Sequence, residues 1–314
     1  MAQNKETQWI SERIAETAET ACTKSQVLLK IKKEADLEGS VTEVREHFKT
    51  IRASLRLVRD THKNYKKENA FYRDGARKLL PLQKAIAMVK AIDLINEQYS
   101  ERLYKNAFTE LRNHLEKHKE EEMDSALNGE HIFRNIHQGL EEKCETLKDQ
   151  LLKPIAFDAI ESGVKRVYKR GRKAKKSLSD SQSNERFHEL QKRVNYLKVQ
   201  LEIIKPIWPN MMDAWKAELK NLSDLLVTSE GLYHLSEFLN TKSDSNSTED
   251  GTYLMKTLIE GHREQVQKHA QLLAHKIYCL KPKQFIEIIK AAWDAHAMEQ
   301  TQQVLPSEKL GLSQ

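Results

Sequence analysis

Glycine and proline are scarce in this sequence, at 10 and 6 among 314 residues. A chain so poor in turn-formers, and rich in Lys, Glu, Leu and Ala, favours long helices over strands. Long apolar runs are also missing. Mean hydropathy is −0.70, and no stretch approaches the roughly 20 apolar residues that a membrane span needs. The opening MAQNKETQWISERI lacks the apolar core of a secretory signal. Three cysteines, Cys22, Cys144 and Cys279, lie far apart with no C-x-x-C pair. That spacing predicts neither a disulfide framework nor a zinc site, and it suits a reducing compartment, the cytoplasm.

Catalytic signatures are absent as well. No glycine-rich phosphate loop occurs, and local spacing suggests no Cys/His or Ser/His/Asp set. His114 and His118 stand at i,i+4 near Glu120, Glu121 and Glu122, but HLEKH is not HExxH and reads as a polar helix face. Trp208, Trp215 and Trp293 fall beside apolar residues and read as core. Cys279, at an apolar helix end, reads as a small buried hydrophobe. The expectation is a protein that is not an enzyme and has no cofactor or metal.

What the chain has is charge, unevenly placed. Net charge is +6. Residues 41–90 hold thirteen Lys/Arg against five Asp/Glu, and residues 161–210 repeat that balance. The rest of the chain is net acidic. Such segregation points to an anionic partner more than to solubility.

Helical periodicity runs through nearly the whole chain. It predicts helices over 7–35, closed by Gly39-Ser40, then 42–62, 66–80, 82–97, 100–125 and 131–152. Pro81 falls in a first turn, where proline is tolerated, and Asn128-Gly129 marks a turn. A basic helix over 155–176 leads into the polar linker SLSDSQSNE. Helices follow over 185–205, 211–225, 229–240, 252–280 and 283–301, with breaks at Pro206, Pro209 and Lys281-Pro282-Lys283. Residues 241–250 read as an exposed loop.

A shift of 146 residues lays residues 41–58 over 187–204 with five apolar matches: Val44/Leu190, Phe48/Val194, Ile51/Leu197, Leu55/Leu201 and Val58/Ile204. The fold expected is all-α, two four-helix-type bundles related by pseudo-two-fold symmetry. The expected halves are 5–154 and 155–301, with a flexible tail at 302–314.

The helix over 42–62 carries the sharpest feature. Its apolar stripe is Val44, Phe48, Ile51, Leu55 and Val58. One position onward run Arg45, Lys49, Arg52, Arg56 and Arg59. One residue is about 100° of rotation, so a row of cations flanks the buried face for about 21 Å. Like charges at i,i+4 repel by a few tenths of a kcal/mol per pair, a cost that an anionic ligand removes. A charged stripe is usually just a solvated face, but this one recurs. Lys165, Lys169, Arg172 and Lys176 form a second row, with Arg166, Arg170 and Lys173 beside it. Arg73, Arg77 and Lys84 form a third.

Three stretches resemble a known family. VTEVREHFKTIRASLRLVR with YKKENAFYRDGARKLLPLQKAIAMV, YKRGRKAKK with FHELQKRVNYLKVQLEIIKPIWP, and LIEGHREQVQKHAQLLAHKIYCLKPKQFIEIIKAAW are similar, in that order, to the conserved histidine alpha-helical (CHAD) domains. The resemblance implies paired helical bundles around a basic central pore that binds inorganic polyphosphate, and association with polyphosphate granules. On that basis His188 matches the histidine of the second half, Lys198 matches its basic positions only in part, and Lys192, Lys281 and Lys283 join the expected binding set. Departures are equally visible. Thr42 stands at the first-half histidine position, and Gln191, Asn195 and Tyr196 stand where a cation is usual. The site implied is therefore lopsided, weighted toward Arg45–Arg59, the 165–176 row and Lys281/Lys283.

The expected mechanism is electrostatic. Phosphate chains thread between basic helix faces, arginine forks grip oxygens bidentately, and counterion release makes affinity fall with salt. Two alternatives stay open at this stage. A helical nucleic-acid binder would stack bases on rings such as Tyr65, Tyr72 or Tyr168, and a phosphoanhydride enzyme would need metal-binding carboxylates beside the basic row. A pure scaffold is the plainest reading. Oligomeric state is not encoded in any feature of the sequence.

Overall fold

In a computed structural model, which describes residues 8–30, 37–99, 108–129, 131–153, 155, 157–178, 183–242 and 249–303, the chain is all-helical, with no strand among those residues. The α-helices are α1 (Gln8–Leu29), α2 (Leu37–Leu57), α3 (Tyr65–Lys78), α4 (Leu80–Gln98), α5 (Thr109–Asp124), α6 (Ile132–Leu151), α7 (Phe157–Ser177), α8 (Asn184–Ile203), α9 (Pro209–Lys242), α10 (Glu249–Ile277) and α11 (Pro282–Gln303). A π-helical turn (Ser125–Gly129) follows α5, and a 3-10 turn (Lys205–Ile207) follows α8. No described helix is long and apolar enough to cross a membrane.

The stripe read from the sequence is core. Val44, Phe48, Ile51 and Leu55 are fully buried and Val58 nearly so. At about 2 kcal/mol per large side chain, those five contribute roughly 10 kcal/mol before chain entropy is subtracted. Through this face α2 packs on α1, α3 and α8. A larger apolar cluster runs from Ile10 to Trp293, and a second joins α4, α5, α9 and α10.

Several expectations are corrected. Gly39 and Ser40 do not close the first helix; they lie in the first turn of α2, with Ser40 buried. At its other end α2 stops at Leu57, so Arg59 stands in the following turn and not on the helix. The predicted break between 225 and 229 is absent, because α9 is continuous. Gly231 there serves a close approach, since a Cβ on it would lie 3.1 Å from the Ala87 carbonyl oxygen on α4. Buried Ser229 accepts a hydrogen bond from Gln267 Nε2 at 3.1 Å.

The cysteine reading is overturned outright. Cys22 on α1 and Cys144 on α6 form a disulfide across 122 residues of sequence. The two helices pack face to face, so the thiols meet through tertiary structure that spacing does not encode. The cysteine argument for a reducing compartment falls with it. Cys279 is exposed, not buried, and Trp208 is 44% exposed. Trp293 is core, stacked on Trp9 with centroids 5.4 Å apart, and Trp215 lies partly buried against the core. Both the 302–314 tail and the 241–250 loop fall mostly outside the described residues.

Candidate anion-binding cleft

Two tight approaches aim the basic rows. Gly75 on α3 lies so near α2 that a Cβ would stand 2.8 Å from the Phe48 ring. This contact sets Ala76 beside Arg45, which donates from Nη1 to the Ala76 carbonyl. Two turns back, Asn69 Oδ1 accepts from Arg52 Nε at 3.3 Å and from Arg56 Nη2 at 3.2 Å. At the second approach, a Cβ on Gly163 would run into the Leu57 carbonyl oxygen, so α7 starts against the end of α2.

Between α2, α3 and α8 opens a cleft of about 460 Å³. Its lining holds eight cations: Arg45, Lys49, Arg52 and Arg56 from α2, Arg73 and Arg77 from α3, and Lys192 and Arg193 from α8. Only two carboxylates line it, Glu189 and Glu230, together with His188, Gln191, Asn195 and Tyr196. Such an excess of one sign in a concave, partly desolvated site concentrates the field on an incoming anion.

Tyr196 is the central support. Its buried ring lies beneath two guanidiniums, with Arg56 Cζ 4.6 Å and Arg52 Cζ 5.7 Å from the centroid. The ring attracts both cations through its quadrupole, which lets them approach without a carboxylate. Neither arginine forms an ion pair among the described residues; their polar partner is Asn69. Burial pulls the Arg52 guanidinium below the ordinary arginine value, Tyr196 opposes that, and Arg56 and Arg73 push the same way as burial. Arg45 is also lowered, first by burial, against the charges of Glu230 and Glu46.

Other cations at the cleft have shared or local partners. Lys49 meets Glu46 at 2.5 Å. Arg73 and Arg77 share Asp74, at 2.8 and 3.3 Å. Arg193 pairs with Glu189, which Lys192 approaches at 3.9 Å. The Lys49, Arg73 and Arg77 pairs are exposed and weak and exchange readily for a ligand's oxygens, whereas the Arg193 side chain is only 13% exposed.

His188 Nδ1 lies 3.0 Å from Glu230 Oε1 on α9. Burial alone would raise the Glu230 carboxyl, but the hydrogen bond and charge of His188, the charge of His234 and a hydrogen bond from Gln191 outweigh it and bring it down to about 2.

Of the residues singled out from the sequence, Arg45, Lys49, Arg52, Arg56, Arg73, Arg77, His188 and Lys192 come together here. Arg59 lies just beyond, over the Tyr65 ring at 5.2 Å. Lys198 is half-buried on α8 and does not line the cleft. The 165–176 row does not line it either. Lys165, Lys169 and Lys176 are exposed, and Lys165 pairs with Glu161 at 3.4 Å. Arg172 acts on Tyr168, whose hydroxyl donates to the Leu280 carbonyl at 3.2 Å. Arg172 is half-buried and does not line the cleft, and Lys281 and Lys283 are exposed and away from it.

The α7 cations that do approach α2 are the neighbouring ones. Arg166 bonds Asp60 Oδ2 at 2.5 Å. Arg170 is lowered first by burial, then by Arg193, Arg56, Arg59 and Arg166. Sequence reasoning also left out Arg193, Glu189, Glu230 and the supporting role of Tyr196. An aromatic at a position where a cation is usual was the available signal for the last.

The rings that kept base stacking open are not presented to a base. Tyr72 and Tyr168 are buried and Tyr65 is 9% exposed. His118 rests its ring near Phe238, centroids 5.5 Å apart.

A family comparison now bears on the same helices. The CHAD domain model matches residues 26–240, more than half of the chain and all of the cleft. The chain belongs to the CHAD domain family. The C-terminal helices of this CHAD protein, α10 and α11, lie beyond the matched segment. No curated protein matches the chain.

Proposed function

We propose that this CHAD protein binds inorganic polyphosphate in the cleft between α2, α3 and α8, without chemically altering it. The observation that carries the reading is the lining, eight lysines and arginines against two glutamates in about 460 Å³. A chain of phosphates presents one negative oxygen after another, which matches the 4-3-4 spacing of Arg45, Lys49, Arg52 and Arg56 better than a compact anion does. Arg52 and Arg56, held by a ring and an amide, offer their remaining N–H groups to oxygens. Family membership supports the same ligand class.

The reading extends to architecture and place. The two halves form pseudo-two-fold-related bundles about a basic pore, of which the cleft is the lined part. Gln200 Nε2 donates to the Ala53 carbonyl at 3.3 Å, and the 146-residue shift lays Ala53 over Val199, next to Gln200. Contact between near-equivalent positions is what a local two-fold axis between α2 and α8 would produce. On this reading the protein would associate with polyphosphate granules, as the family resemblance implies; a cytoplasmic setting would have to keep the Cys22–Cys144 disulfide.

Nucleic acid is the competing ligand, and burial of Tyr65, Tyr72 and Tyr168 weighs against it. The test is competition at matched salt between long-chain polyphosphate and single-stranded DNA of equal charge. Polyphosphate is expected to bind about tenfold or more tightly, with log affinity falling linearly against log salt. Equal binding of the two polymers would overturn the reading.

A further inference from the structure

One acid in the cleft is not where a polyanion site would want it. Glu230 reaches in from α9, with Oε1 3.0 Å from His188 Nδ1 and 3.9 Å from His234 Nε2. Gln191 adds a hydrogen bond, and Arg45 feels the Glu230 charge. With its carboxyl held down to about 2, Glu230 is ionised at any pH the protein meets in a cell. A fixed anion therefore stands where a phosphate would otherwise contact His188 and Arg45. The far end is different. Arg52 and Arg56 rest on Tyr196 and Asn69, with no ion-pair partner among the described residues.

We propose that Glu230 is a built-in counter-ion that makes the cleft reject short phosphate anions and accept long chains. The inference rests on the polyphosphate reading of the cleft. A short anion seated beside His188 and Arg45 meets the carboxylate's repulsion in a low-dielectric setting and gains few contacts elsewhere. A long chain crosses from Arg45 to Arg56, about 16 Å along α2. Each further phosphate it lays on a cation adds to the same binding event, and the sum outweighs one repulsive neighbour. Selectivity for length thus comes from a residue that opposes binding, a difference between ligands and not a gain for either.

The experiment compares tripolyphosphate with long-chain polyphosphate on wild type, Glu230→Gln, Glu230→Met and Glu237→Gln at one salt concentration. Glu237 is on the same helix, exposed, and outside this cleft, so it controls for net charge. Both neutral Glu230 variants should tighten tripolyphosphate so that the preference for the long chain falls about tenfold. The Glu237 variant should keep the wild-type preference. Native circular dichroism qualifies each variant, and either Glu230 replacement alone carries the test if the other does not fold. An unchanged preference in a folded Glu230 variant, or an equal fall in the Glu237 variant, would overturn the inference and leave polyphosphate binding intact. A wild type that binds neither chain overturns the functional reading, and this inference with it.

Discussion

Arg45, Lys49, Arg52 and Arg56 on α2 and Lys165, Lys169, Arg172 and Lys176 on α7 share one spacing, 4-3-4; every member of the first row, and all but Lys176 of the second, lies one residue past a buried position. On α2 that flank meets α3 and α8, which bring Arg73, Arg77, Lys192 and Arg193 across a cleft. On α7 Lys165, Lys169 and Lys176 of the same flank meet solvent, while Arg166 and Arg170 on the other flank approach α2. Periodicity places a row relative to its own helix's core. It says nothing of which neighbour lies beyond that edge, and the neighbour is what turns a solvated face into a site.

The widest break in the comparison comes from removing two cations on each side. Arg52→Ala with Arg56→Ala should weaken polyphosphate binding about 100-fold, since each charge-assisted bond contributes roughly 1.5–3 kcal/mol. The slope of log affinity against log salt should fall by about 1.5. Lys165→Ala with Lys169→Ala should change affinity less than about threefold. Titration of labelled polyphosphate at several salt concentrations reads both. Equal losses from the two pairs would mean that the α7 row is a second site.

A smaller effect tests the other flank of α7. Arg166→Ala with Arg170→Ala should cost about tenfold in affinity, because Arg170 shares its field with Arg56, Arg59 and Arg193. An effect no larger than that of the lysine pair would confine the site to α2, α3 and α8.

These contrasts also measure what was legible in the sequence. The buried stripe of α2 was readable because a helix repeats its faces on a fixed period, and all five residues are core. Helix positions were readable from proline, glycine and polar breaks, except at Gly39-Ser40, which lie in the first turn of α2, and between 225 and 229, where α9 runs on unbroken. The Cys22–Cys144 disulfide was not, since 122 residues separate partners that only helix packing brings together. Nor was Glu230, which enters from a helix distant in sequence and carries no local motif. Arg193 was hidden by an ordinary i,i+4 pair with Glu189.

Tyr196 refines the comparison within the cleft itself. Tyr196→Leu keeps an apolar side chain under Arg52 and Arg56 but removes the ring quadrupole. Affinity should fall about fivefold, an effect of roughly 1 kcal/mol, and Tyr196→Phe should restore most of it. The two binding curves, measured beside circular dichroism, separate a lost ring from a lost fold. Equal affinity for the Leu and Phe variants would reduce Tyr196 to core filling.

The least effect lies where the two regions touch. Asp60, in the turn after α2, is held below the usual aspartate value first by the hydrogen bond from Arg166, then by one from Ser162. A carboxyl lowered on folding stabilises the native state above its unfolded value, near 3.8, and that contribution is lost as pH falls through the lower folded value. The pair is half exposed, so screening keeps it to about 0.2–1 kcal/mol. Asp60→Asn should therefore melt slightly below wild type at pH 6, and the two melting temperatures should converge as pH drops below 3.8. A difference that persists undiminished into acid would mean that Asp60 supports the α2–α7 junction through shape and not charge.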